Sequence, residues 1–254
     1  MKNMMYQKYI PEGWNDKKEI YTQEELQNAM KKNIVLESTV KEYDRNNTYI
    51  DLGNNNIGII PKNKLGVYNK RNKYIQFKVE GINDNIYMLS RKAVQEESLN
   101  WAINELECGE KINGIVRGIE NYGAFVEIGG GTVGLLHIED ISKARMKSPK
   151  ERLSIGQKIP VIIKSINKEE KKLNLSYKEI LGTWEENIKD FKEGQIVKGI
   201  AREIAKGNKG IFIELKPNLV GMAEYKKGIE YGQNVNVYIK KIIPEKEKVK
   251  LKIK

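Results

Sequence analysis

The sequence predicts a mainly β protein of three tandem five-stranded barrels joined by short α-helices. Three observations carry that prediction. A pattern of strands and glycines recurs, most clearly at a spacing of 85 residues. Within each copy, apolar and polar residues alternate over runs too short for helices. Between the copies lie clusters of apolar residues with helical spacing.

Taken in chain order, Thr22 and Glu25 have capping-box spacing ahead of Leu26, Ala29 and Met30, which places a helix in an N-terminal segment over 1–32. The first copy, 33–92, has strands at Val40, Tyr49-Ile50-Asp51-Leu52-Gly53, Ile57-Gly58-Ile59-Ile60-Pro61, Phe77 to Ile82 and Met88-Leu89-Ser90. A linker helix over 93–107 carries Val94, Leu99, Trp101, Ala102 and Leu106 and stops before Gly109. The middle copy, 108–178, is the fullest. Its start, Gly109-Glu110-Lys111-Ile112-Asn113-Gly114-Ile115-Val116, returns as Gly194-Gln195-Ile196-Val197-Lys198-Gly199-Ile200-Ala201, and its second strand, Tyr122 to Ile128, returns as Lys209 to Leu215. A second linker helix is expected over 179–192, with Ile180, Leu181, Trp184, Ile188 and Phe191, ahead of the third copy over 193–254. Trp101 and Trp184 hold like positions before the next barrel and are expected to pack each linker onto it. Five short strands in about 60–70 residues suit a small closed barrel of the OB type.

Within the middle copy, Ala124, Val126 and Ile128 share one face of a strand and point into a core, leaving Phe125 and Glu127 on the outer face. Tyr122 joins Phe125 on that face if Gly123 permits a bulge that reverses the parity. The run Gly129-Gly130-Gly131 supplies the positive φ angles of a tight hairpin, and the return strand brings His137, the chain's one histidine, beside the same surface. Adjacent ring faces on a sheet stack unpaired bases.

Lys and Arg exceed Asp and Glu by 45 to 34, a net charge of +11 that favours a polyanionic partner. The excess is uneven: +1 over 1–107, +2 over 108–191 and +8 over 192–254. Cys108 is the single cysteine, so neither an intrachain disulfide nor a cysteine-built zinc site is expected. With no clustered metal ligands and no phosphate loop, neither catalytic residues nor a metal or cofactor is expected. No apolar run approaches the ~20 residues of a membrane span. A cytoplasmic monomer without membrane contact is the expectation.

The repeated Gly-Xaa-Ile-Val-Xaa-Gly start, Tyr122-Gly123-Ala124-Phe125-Val126, Gly134-Leu135-Leu136-His137-Ile138 and Leu173-Asn174-Leu175-Ser176 resemble the S1 RNA-binding domain family. As a whole the chain resembles a short, three-repeat member of the bacterial ribosomal S1 family. The resemblance implies OB-fold barrels and single-stranded RNA as ligand. It places RNA-facing positions on Tyr122, Phe125 and His137, with Asn167 and Lys172 around the last turn, where the family usually has aspartate and arginine. Lysine keeps the charge there but loses the planar fork. Arg117 and Lys164 are further candidates for following phosphates. In the third copy Lys209 replaces the first ring, Phe212 keeps the second and Glu224 stands in the histidine's place; in the first copy Asn46, Tyr49 and Pro61 take these positions.

The function expected from this set is non-catalytic binding of single-stranded messenger RNA at or near the small ribosomal (30S) subunit. The alternative is a protein-docking scaffold or RNA-regulatory adaptor whose basic C-terminal third has only nonspecific affinity for nucleic acid.

Overall fold

The computed structural model describes residues 7–15, 20–68, 72–205, 207 and 209–254; residues 1–6 and 16–19 of the expected N-terminal segment lie outside that description. Three closed five-stranded barrels form. The first contains β1 (Leu36–Tyr43), β2 (Asn47–Asp51), β3 (Ile57–Pro61), β4 (Tyr74–Asn83) and β5 (Ile86–Ser90), in the spatial order β1-β2-β3-β5-β4. The middle contains β6 (Lys111–Glu120), β7 (Gly123–Gly129), β8 (Thr132–His137), β9 (Lys158–Asn167) and β10 (Lys172–Ser176). The third contains β11 (Ile196–Ile204), β12 (Ile211–Lys216), β13 (Leu219–Ala223), β14 (Asn234–Ile243) and β15 (Lys248–Ile253). In the first and third barrels the closing pairs, β3 with β5 and β13 with β15, are parallel, and the other pairs are antiparallel.

The chain groups into two compact units, one of residues 1–118, 125–135 and 154–174, the other of residues 119–124, 136–153 and 175–254. In the first unit, α1 (Gln23–Lys31) starts at the expected capping box, with Thr22 and Glu25 bonding each other's backbone N–H. Leu26 of α1 joins Ile50, Leu52, Ile60, Ile75, Phe77, Val79, Tyr87 and Leu89 in the barrel core. Burying each such side chain contributes roughly 1.5–3 kcal/mol. A single turn, α2 (Lys62–Leu65), follows β3. The linker helix α3 (Arg91–Asn104) begins at Ser90, whose hydroxyl accepts from the Ala93 N–H. Its Ser98 hydroxyl donates to the Gly129 carbonyl at 2.6 Å and Gln95 donates to the Gly131 carbonyl at 3.2 Å, so the helix seats on the β7–β8 hairpin. Trp101 is buried, its ring 5.5 Å from that of Tyr9.

In the second unit, the span expected to be one linker helix is divided. Lys178–Leu181 is a 3₁₀ turn, Gly182 takes φ +81, and α4 (Trp184–Ile188) restarts from a second capping box, Thr183 with Glu186. A left-handed residue followed by a fresh N-cap ends one helix and begins another. Trp184 is buried in the third barrel's core with Ala201, Ile211, Ile213, Leu219, Val237, Ile239, Val249 and Leu251.

Candidate nucleic-acid interface

The β7 core positions behave as the alternation requires: Ala124, Val126 and Ile128 are fully buried. On the opposite face Phe125 is partly exposed, and Tyr122, in the turn before β7, is 50% exposed. Gly123 is needed for close approach, since a Cβ there would lie 2.5 Å from the Leu136 carbonyl oxygen. Gly130 and Gly131 form the hairpin turn with φ +56 and +77, the left-handed pair of a two-residue connection. β8 neighbours β7 in the sheet and ends on His137, which caps a 3₁₀ turn, its Nδ1 3.4 Å from the Glu139 N–H. Tyr122 in the turn before β7, Phe125 on β7 and His137 at the end of β8 are thus each at least partly exposed.

The basic candidates divide. Lys172 is exposed at the start of β10, but its ammonium lies 2.8 Å from Glu170, which it holds below the usual carboxylate range through that hydrogen bond and its charge. Asn167 spends its side-chain oxygen on the turn itself, accepting from the Glu170 N–H at 2.9 Å. Lys164 is exposed on β9. Arg117 differs from the phosphate-following role expected of it. Its Nε donates to Glu127 at 2.6 Å, its Nη2 contacts Glu127 and the Glu12 carbonyl, and only 17% of its side chain is exposed. Glu127, expected outside beside Phe125, is 1% exposed.

The physical reason is a segment distant in sequence. Residues 7–14 run over this part of the outer face: Gln7 bonds the backbone of Asn113 and Ile128, Gly130 donates to Ile10, and the Glu12 N–H donates to Glu127 at 2.8 Å. The Glu12 side chain is itself clamped by Arg91 through bonds of 2.7 and 3.0 Å. Burial, then the Glu12 charge, push Glu127 up to about 7 against the pull of Arg117.

The third barrel repeats the pair. Arg202 Nε donates to Glu214 at 2.6 Å, Arg152 donates to the other Glu214 oxygen at 2.6 Å, and Glu151 contacts Arg202 and the Tyr231 hydroxyl. Phe212 is 37% exposed and Lys209 is exposed. In the first barrel Tyr49 turns its hydroxyl onto Asp44 at 2.8 Å.

Residues 105–178, the middle barrel with its preceding turn, match the family model of the S1 RNA binding domain. The chain carries an S1 RNA binding domain over those residues. It is 33% identical over 260 residues to the small ribosomal subunit protein bS1 of Staphylococcus aureus (strain COL), across 92% of this chain and 64% of that protein. The bS1 of Staphylococcus haemolyticus (strain JCSC1435) is 32% identical over the same shares. The chain thus spans just under two thirds of the length of these curated relatives. Among solved structures, GSP13 from Bacillus subtilis is 33% identical, covering 30% of this chain and 58% of that chain with a TM-score of 0.29.

Within the S1 domain, sequence reasoning missed two acidic side chains that decide how its cations behave. Glu170 sits on Lys172, and Glu127 occupies Arg117. A signal for the second lay in the repeat, because Arg117 and Glu127 recur as Arg202 and Glu214. A repeated opposite-charge pair on neighbouring strands points to a structural bond.

Proposed function

We propose that the chain is a non-catalytic single-stranded RNA-binding protein and that its middle S1 domain stacks bases on Tyr122 and Phe125, with His137 donating to a base or the backbone. The observation that carries this is a half-exposed Tyr122 ring in the turn before β7 and a partly exposed Phe125 ring on β7, whose Ala124, Val126 and Ile128 are fully buried. An aromatic ring left half in water on a rigid strand holds its orientation at small entropic cost, and stacking on it is worth roughly 1–3 kcal/mol per base. Lys172 and Lys164 add exposed charge on the same domain; Asn167 shapes the turn that carries Lys172. The similarity to bS1 proteins supports a place for this binding in translation, with messenger RNA as ligand and the small ribosomal subunit as partner, in the cytoplasm. On the third barrel, Lys209 and Phe212 offer a contact of their own.

The test is a titration of unstructured RNA against the full chain and the double variant Tyr122→Ala/Phe125→Ala. A loss of at least about tenfold in affinity with an unchanged melting curve is expected, since tenfold is about 1.4 kcal/mol. Equal affinity of the folded variant would sink the proposal. Pull-down of ribosomal subunits with and without nuclease tests the translational placement; capture that ignores nuclease and both ring substitutions favours a protein-docking scaffold.

A further inference from the structure

The third barrel carries a feature that the other two lack. β15 alternates Lys248, Val249, Lys250, Leu251, Lys252, Ile253, with the three lysines exposed and Val249 and Leu251 buried in the core. Lysines two apart on a strand are spaced by roughly 6.4–6.8 Å, close to the step between successive phosphates of an extended single strand. Across the antiparallel neighbour β14, Lys250 lies opposite Lys241 and Lys252 opposite Tyr238. Across the parallel neighbour β13, Lys250 pairs with Met222, which in turn pairs with Phe212 on β12. Met222 is 48% exposed and lies between the exposed Phe212 ring and the lysine row.

The same register position differs in each barrel. In the first it holds Met88 opposite Gly81. In the middle it holds Asn174, whose amide donates to the Ser165 hydroxyl at 2.9 Å. Only the third sets two like charges opposite one another, an arrangement that costs the folded sheet stability unless an anion lies between them. The acidic side chains near the row are otherwise engaged: Glu224 pairs with Lys240 at 2.9 Å and Glu247 with Lys143 at 3.4 Å. Glu245 lies in the turn before β15. The Lys240 hydrogen bond and charge, and after them the Lys252 charge, hold Glu224 below the usual carboxylate range; among the described residues no ion pair joins Lys241, Lys248 or Lys250 to a carboxylate.

We propose that Lys248, Lys250 and Lys252, with Lys241 beside them, form a phosphate track for single-stranded RNA, running along β15 next to the Phe212 and Met222 contact surface. The proposal rests on the RNA-binding reading above and adds to it a second, electrostatic surface. Lysine ammoniums neutralise phosphates and release counterions, which gives a slope of about −0.7 in log K against log salt for each phosphate neutralised on a single strand. The neutral Asn174–Ser165 pair of the middle domain contributes no such term.

The experiment titrates long oligouridylate RNA against the full chain across a range of salt concentrations. The proteins compared are the parent, the triple variant Lys248→Gln/Lys250→Gln/Lys252→Gln, and a control removing three exposed lysines elsewhere, Lys31→Gln/Lys32→Gln/Lys41→Gln. The expected result is a slope shallower by about 2 for the β15 variant. The control keeps the parent's slope, and the β15 variant melts no lower than the parent at low salt because a repulsive pair has been relieved. An unchanged slope in the β15 variant, or an equal change in the control, overturns the track. If the parent binds RNA, and Tyr122→Ala/Phe125→Ala weakens it while the β15 variant does not, only the track fails. A parent chain that binds no RNA overturns the track and the RNA-binding reading together.

Discussion

The middle and third barrels share a backbone and present opposite surfaces. The middle one carries Tyr122, Phe125 and His137 and a neutral Asn174–Ser165 pair, whereas the third keeps one ring, Phe212, adds Met222, and puts Lys250 against Lys241. Stacking acts at contact distance and is little affected by salt. A lysine row acts across a Debye length of ~8 Å at physiological ionic strength and weakens as salt rises. One repeat therefore suits base contacts and the other suits backbone attraction, and the division follows from which residues occupy equivalent outward positions.

Three variants break or sharpen that division. Tyr122→Ala/Phe125→Ala has the largest expected effect: affinity for unstructured RNA drops at least about tenfold while the salt slope stays as it was, checked by titration at several salt concentrations. The β15 triple variant reverses the pattern, flattening the slope by about 2 and sparing the binding that remains at high salt. Transplanting the third barrel's pair with Ser165→Lys/Asn174→Lys is expected to steepen the slope of the middle domain by about 1.4, again from titration; an unaltered slope would mean that RNA does not pass β9 and β10.

The smallest expected effect concerns pH. Glu127 is raised from its ordinary 4.5 to about 7, chiefly by burial and next by Glu12. The native state then holds this proton more tightly than the unfolded chain does. Its contribution to stability is full below about 4.5 and is lost as pH climbs to about 7. Glu127→Gln, followed by urea midpoints across that window, is expected to flatten the fall. A parent and variant with parallel pH profiles would show that Glu127 does not titrate there.

Local periodicity accounts for how much was legible. The strands, the capping box at Thr22 and Glu25, the glycine hairpin and the burial of Trp101 and Trp184 are all written in residues a few positions apart, and the structure contains each of them. The second linker was legible only in outline, because the break at Gly182 depends on one residue taking a left-handed conformation. At the site, strand parity was enough to put Phe125 outward and Ala124, Val126 and Ile128 inward. The same parity put Glu127 outward as well, and there it was incomplete; the facing of Arg117 was not settled by its strand.

By itself the sequence determined the number of barrels, the strands that build them and the core-facing residues Ala124, Val126 and Ile128, since alternation and glycine placement act over a few residues. Tertiary structure alone decided which outward residues meet water. Residues 7–14 return to the middle barrel more than a hundred positions away and bury Glu127, converting Arg117 from a candidate phosphate ligand into its partner. Cross-strand registers likewise decided that Lys250 faces Lys241 and Met222. Exposure and pairing are set by distant chain segments, and no local period encodes them.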